Sequence, residues 1–134
     1  ANLGRMMLKL RKDLGPGAVA HLVLKMLERE GSKNNIVIDG VRSIPEVEVL
    51  KKVGNVKLLA IHASQGTRFR HLRERGRSDA PASAGEFAGR DRRELSVGIS
   101  EAIALAAETI SNNDITIEEL KERAYEIVRG WLDE

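Results

Sequence analysis

The sequence predicts an α/β domain built on a parallel sheet, and three observations carry that prediction. Segments with helical apolar periodicity alternate with short, continuous apolar runs. Each run ends in turn residues and is followed by a new helix, an order that demands parallel pairing with right-handed crossovers. No internal repeat or low-complexity tract interrupts the alternation.

Taken in order, Leu3, Met6, Met7, Leu10 and Leu14 predict a helix over Asn2 to Leu14, stopped by Gly15-Pro16. A second helix reaches about Glu30, with Val19, Leu22, Val23, Met26 and Leu27 on one apolar face and Gly31-Ser32 at its end. The run Ile36-Val37-Ile38-Asp39, bounded by Asn34-Asn35 and Gly40, reads as a buried strand. Ser43-Ile44-Pro45-Glu46 predicts a capping box with proline in the first turn, opening a helix to about Val53. Lys57 to Ala63 is a second strand, and Ser64 and Thr67 lead into an arginine-rich helix from about Gly66 to Arg75. Between Gly76 and Ser83 the pattern dissolves into small and turn-forming residues, then Glu86 to Leu95 resumes as a charged helix. Residues 76–93 are therefore expected to form a mobile, arginine-rich lid. A helix over Ile99 to Ala106, a short strand over Glu108 to Ser111, the Asn112-Asn113-Asp114 turn and an amphipathic helix capped by Thr116 with Glu119 complete the chain.

At 134 residues the chain is expected to be a single domain. It has no cysteine, no long apolar run and no signal-like segment, which points to a soluble cytoplasmic protein with no membrane partner and no thiolate metal site. Net charge is only +2, yet eight of the fourteen arginines lie between Arg68 and Arg93, and no lysine occurs between Leu58 and Leu120. Arginine binds phosphate through a planar fork, whereas lysine is a hydrated point charge, so the expected partner is a small phosphate-bearing substrate or nucleotide. Nucleic acid is the less favoured partner, because Phe69, Phe87, Tyr125 and Trp131 are too few and too scattered to stack bases.

In open α/β sheets ligands bind beyond the carboxyl ends of strands. Asp39 is thereby placed to hold a metal ion, directly or through water, and Arg42 to grip a phosphate beside the helix that begins after Ser43. The other reading of Asp39 is a residue that merely caps a turn.

The motif Asp39-Gly40-Val41-Arg42-Ser43-Ile44-Pro45, the arginine segment and the Asn-Asn-Asp turn together resemble the adenylate kinase and dephospho-CoA kinase branch of small P-loop kinases, with most likeness to an uncharacterised archaeal group of that branch. In such kinases an Asp-Gly-Phe-Pro-Arg motif follows the third strand; Asp39 and Arg42 match it with one residue fewer between them. The resemblance implies that Asp39 serves a magnesium site and Arg42 the acceptor phosphate. It also implies that Arg75, Arg77 and Arg90 close over the transferring phosphoryl group while Asp79 orients the flap. His71 falls where the family often packs an arginine on adenine, and Asn112, Asn113 and Asp114 resemble the loop whose backbone faces that ring. The implied fold is the three-layer parallel sheet of a P-loop nucleotide kinase, and the implied cofactors are ATP and magnesium.

One element of that family is missing from this sequence. The phosphate cradle Gly-x-x-x-x-Gly-Lys-[Ser/Thr] does not occur, and none of the eight lysines is followed by Ser or Thr. Because the chain begins at Ala1 inside a helical pattern, it is expected to be a truncated kinase-like domain, short by a first βα unit of roughly 30 or more residues. The absent strand would be the centre of the sheet, leaving unpaired backbone groups on its neighbours. A rearranged sheet, a homodimer through the exposed edges, or a looser structure are the open solutions. The expected function is ATP-dependent phosphoryl transfer by the intact protein, with this chain inactive alone; the alternative is a non-catalytic phosphate- or nucleotide-binding module derived from such a kinase.

Overall fold

The computed structural model describes residues 5, 9, 12, 13, 15, 17–30, 35–76 and 81–134. Among them the elements run α1 (Ala18–Glu30), α2 (Ile44–Leu50), β1 (Leu59–His62), α3 (Gln65–Arg75), α4 (Ala84–Val97), α5 (Ile99–Ala104), β2 (Glu108–Ser111) and α6 (Ile117–Leu132). The α/β class is as expected, with β1 and β2 paired in parallel and Leu59 opposite Glu108, His62 opposite Ser111. The expected helix over Asn2 to Leu14 lies mostly outside the described residues.

One expected strand is not formed. Ile36 to Asp39 carries no regular structure, and Val37 is 91% exposed where a buried strand was anticipated. A strand exists only through ladder bonds to a neighbour, and no strand pairs with this run among the described residues. Asp39 therefore sits in an irregular segment rather than at a strand terminus.

The chain divides into two compact units, one of residues up to 56 with 93–102, the other of residues 57–92 with 103–134. In the first, α1 packs on α2 around buried Ala20, Val49 and Leu50, and Leu24, Ile38, Val41 and Val56 close over this cluster. The buried side of α1 is turned from the expected one: Leu22 and Met26 are exposed, while Ala18 and Ala20 are buried. Ala20 packs with Val49 and Leu50 of α2, where the chains approach closely. A Cβ on Gly17 would stand 2.8 Å from Val49 Cγ2.

Helix α2 starts at Ser43, whose backbone is extended, with Pro45 in the first turn as expected. The capping box does not form in its anticipated way, since the Ser43 hydroxyl donates to Glu46 Oε1 (2.9 Å) instead of accepting a backbone N–H. Both residues are buried, so the hydroxyl is the donor that keeps a buried carboxyl group partnered. The helix ends at Leu50 rather than Val53, and Lys52 and Val53 continue as turns bonded to the carbonyls of Val49 and Leu50.

In the second unit the ladder extends beyond the strands, through Ala107 N–H to Leu58 O (2.9 Å) and Asn112 N–H to His62 O (2.7 Å). Ile110 is buried and α6 lies against β2. The capping box at the start of α6 is complete: the Thr116 hydroxyl accepts from Glu119 N–H (3.1 Å) and Glu119 Oε1 accepts from Thr116 N–H (3.2 Å). That backbone N–H, helped by the hydroxyl, holds the Glu119 carboxyl below the usual range. Replacing Thr116 with alanine is expected to cost about 1 kcal/mol, read as a lowered midpoint in urea denaturation. No helix among the described residues is long and apolar enough to cross a membrane.

Candidate functional site

The turn after Ile38 is built so that an arginine is held from two sides. Gly40 has φ +85°, a left-handed conformation that an L side chain adopts only with strain. This bends the chain so that Arg42 Nη1 donates back to the Gly40 carbonyl (3.1 Å). Arg42 Nε also stands 2.9 Å from Glu94 Oε2 of α4. That N–H is not aligned with the oxygen, so Oε2 keeps a charge contact but no hydrogen bond, although it is buried. Arg42 Nη2 has no protein partner among the described residues, and the side chain is about one-third exposed (32%).

Ile38 and Val41 anchor the turn on the Leu50 cluster, and Asp39 between them is exposed. Beneath the turn lies a cavity of about 30 Å³, lined by Val19, Val23, Ile38, Asp39, Gly40 and Leu50. It has room for a water molecule and is far below the roughly 300 Å³ of the smaller ligand pockets. What the described residues present here is a partly exposed guanidinium at Arg42 and an exposed carboxylate at Asp39 above a water-sized cavity.

The fit to magnesium follows from the donor set. Among the described residues no group of three His, Asp or Glu side chains is arranged as a protein cage. Magnesium is commonly held by one or two carboxylates, with waters and substrate phosphates as the other ligands, and exposed Asp39 fits that arrangement.

The other expected residues belong to the second unit, except Arg77 and Asp79, which lie outside the described residues. Ser64 caps α3, its hydroxyl accepting from Thr67 N–H (3.4 Å), and Gly76 ends the helix in a left-handed conformation. Arg75 is exposed in the last turn, where a cation favours the helix dipole, and His71 is partly buried. Arg90 on α4 is partly buried, with Nη2 3.9 Å from Glu86 Oε1.

An arginine that the sequence did not single out anchors this unit. Arg68 Nη2 donates to Asp91 Oδ2 (2.9 Å), Nη1 donates to Oδ1, and Nε donates to the Ala63 carbonyl (3.0 Å). Its guanidinium also lies over the Phe87 ring at 5.4 Å, and Phe87 packs against Phe69. Gln65 Nε2 completes the cluster with a bond to Asp91 Oδ2 (3.0 Å). The signal available in the sequence was the Arg68-Phe69 pair and the Arg90-Asp91 pair, but nothing in it joins residues 23 positions apart.

The Asn112-Asn113-Asp114 loop is tied by its side chains as well as its backbone. Asn113 Oδ1 accepts from Ser64 N–H (3.0 Å), linking the segments that leave β1 and β2, and Asp114 takes φ +55°. Asp39 and Arg42 thus both lie on the Gly40 turn of the first unit, and His71, Arg75, Arg90 and Asn112 to Asp114 belong to the second.

Comparison with known proteins gives a consistent set of relatives. A UPF0200 protein of Pyrococcus abyssi is 44% identical over 129 residues, spanning 93% of this chain and 68% of that protein. A UPF0200 protein of Sulfurisphaera tokodaii is 40% identical over 92% of this chain and 68% of its own length. One from Methanocaldococcus jannaschii is 40% identical over 112 residues, 83% of this chain and 57% of the relative. No protein-family model matches the chain.

Proposed function

The chain belongs to the UPF0200 family of archaeal proteins, and we propose that it forms the acceptor-side part of an ATP-dependent phosphotransferase of the adenylate kinase and dephospho-CoA kinase type. The observation that carries this reading is the Arg42 guanidinium held by Gly40 and Glu94 on the same Gly40 turn as exposed Asp39. Phosphoryl transfer is mostly positioning and charge neutralisation, which asks for an arginine held in place rather than a mobile one. Arg42 grips the acceptor phosphate, and Asp39 is the residue that would hold magnesium. Bound there, the ion would supply neutralisation of charge on the transferring group. By the resemblance alone, Arg75, Arg77, Asp79 and Arg90 would belong to a phosphoryl-transfer flap, and His71 with Asn112 to Asp114 to nucleotide contact. The protein acts in the cytoplasm on a small phosphate-bearing substrate.

A second reading rests on the same Arg42 grip, which can bind an anion whether or not a phosphoryl group is transferred. In it the family member is a phosphate- or nucleotide-binding module without catalysis. Two measurements separate the readings. Titration of the chain with AMP and dephospho-CoA at low salt is expected to give binding that Arg42→Ala weakens about tenfold, the scale of one charged contact of ~1.4 kcal/mol. Incubation of the Pyrococcus abyssi relative with ATP and either acceptor then tests catalysis: phosphoryl transfer supports the kinase, and binding without transfer supports the module. No binding by the chain overturns both.

A further inference from the structure

We infer that Glu94 is a positioning residue for the phosphate grip, holding Arg42 so that one edge of its guanidinium is left for the ligand. The inference deepens the phosphate-binding reading and rests on it. Its basis is the way the five N–H groups of Arg42 are distributed. Nη1 is spent in part on the Gly40 carbonyl, and Nε faces Glu94 Oε2 at 2.9 Å. Both Nη2 hydrogens lack a partner among the described residues.

The location of the Glu94 oxygen decides between two functions for the pair. Were the carboxylate a stand-in that an incoming phosphate displaces, its contacting oxygen would have to be reachable from solvent. Oε2 is instead buried, so the ion contact is made on the protein side of the guanidinium. A ligand arriving from solvent meets the Nη2 edge while Nε stays engaged. The surroundings keep Glu94 in this place, because the Gly98 turn that follows α4 lies against buried Ser43, next to Arg42 in the chain.

The arrangement also explains why the contact is made by a carboxylate with no hydrogen bond of its own. An oxygen removed from water is held there by charge alone, and the charge it needs is Arg42. Each group fixes the other, and the guanidinium enters binding with little rotamer freedom left to lose.

The test uses the whole chain and two readouts, isothermal titration with inorganic phosphate and the ¹⁵N signal of the Arg42 Nε–H. Glu94→Gln keeps the shape and removes the charge. It is expected to weaken phosphate binding about three- to tenfold, with Tm nearly unchanged, and to speed the motion and hydrogen exchange of the Nε–H. A purely structural glutamate would not move the Nε–H signal at constant Tm. Should the glutamine variant fail to fold, Glu94→Asp, which keeps the charge and shortens the reach, is expected to show the same two changes. Phosphate binding that is unchanged or tighter in the Glu94 variant, while Arg42→Ala still weakens it about tenfold, overturns the inference and leaves the phosphate reading standing. Binding that Arg42→Ala leaves unchanged, or no binding by the parent chain, overturns both.

Discussion

Replacing Asp91 with alanine is expected to lower stability by about 2 kcal/mol, a Tm fall of roughly 6–10 °C for a chain of this size. Most surface ion pairs are worth far less than this, because solvent screens them and two long side chains must be ordered. The Arg68–Asp91 pair differs in three respects. It is bidentate, the Asp91 side chain is only 21% exposed, and Arg68 is already ordered by the Ala63 carbonyl and the Phe87 ring. Removing the carboxylate leaves a partly buried guanidinium and the Gln65 amide without their acceptor. A double-mutant cycle with Arg68→Ala is the check. A coupling under about 0.5 kcal/mol would place the pair among ordinary surface contacts.

The same pair has a pH signature with a defined sign. The hydrogen bond from Arg68 holds the Asp91 carboxyl below its ordinary 3.8, against an opposing effect of burial and with help from Gln65. The unfolded chain therefore takes up a proton at higher pH than the folded one, so the contribution is complete above about pH 5 and is lost as pH falls below about 4. The destabilisation caused by Asp91→Ala is expected to be constant from neutral pH to about 5 and to shrink in more acid solution.

How far the sequence reveals this molecule depends on the range over which each signal acts. Thr116 and Glu119 form their capping box because every partner lies within one helical turn. Ser64 caps α3 for the same reason, and the order of elements follows from local periodicity. Ile36 to Asp39 shows the limit: apolar character marks a segment that can pair, but pairing needs a neighbour, and none joins it among the described residues. Ser43 and Glu46 match a capping-box pattern, yet burial turns the hydroxyl toward the carboxylate instead of the backbone. At the candidate site, that Asp39 and Arg42 share one turn was legible because Gly40 joins them within four residues. Glu94 and Arg68 were not, since their importance comes from partners 52 and 23 positions away that only the folded chain brings near.

Truncating Leu50 to alanine is expected to have a larger effect on stability, about 2–4 kcal/mol, and to reach the site as well. Leu50 is 6% exposed at the centre of the cluster that holds Ile38 and Val41, the two residues flanking Asp39 and Gly40. It also lines the cavity of about 30 Å³ under that turn, so its loss enlarges a void that already exists and removes contacts from the turn above. Urea denaturation measures the first effect through a lowered midpoint at constant slope. Phosphate titration under conditions where the variant is folded measures the second, and binding is expected to weaken because Arg42 loses the rigid base of its turn. A variant that is destabilised yet binds phosphate as the parent does would show that the ties to Gly40 and Glu94 hold the arginine without help from the core.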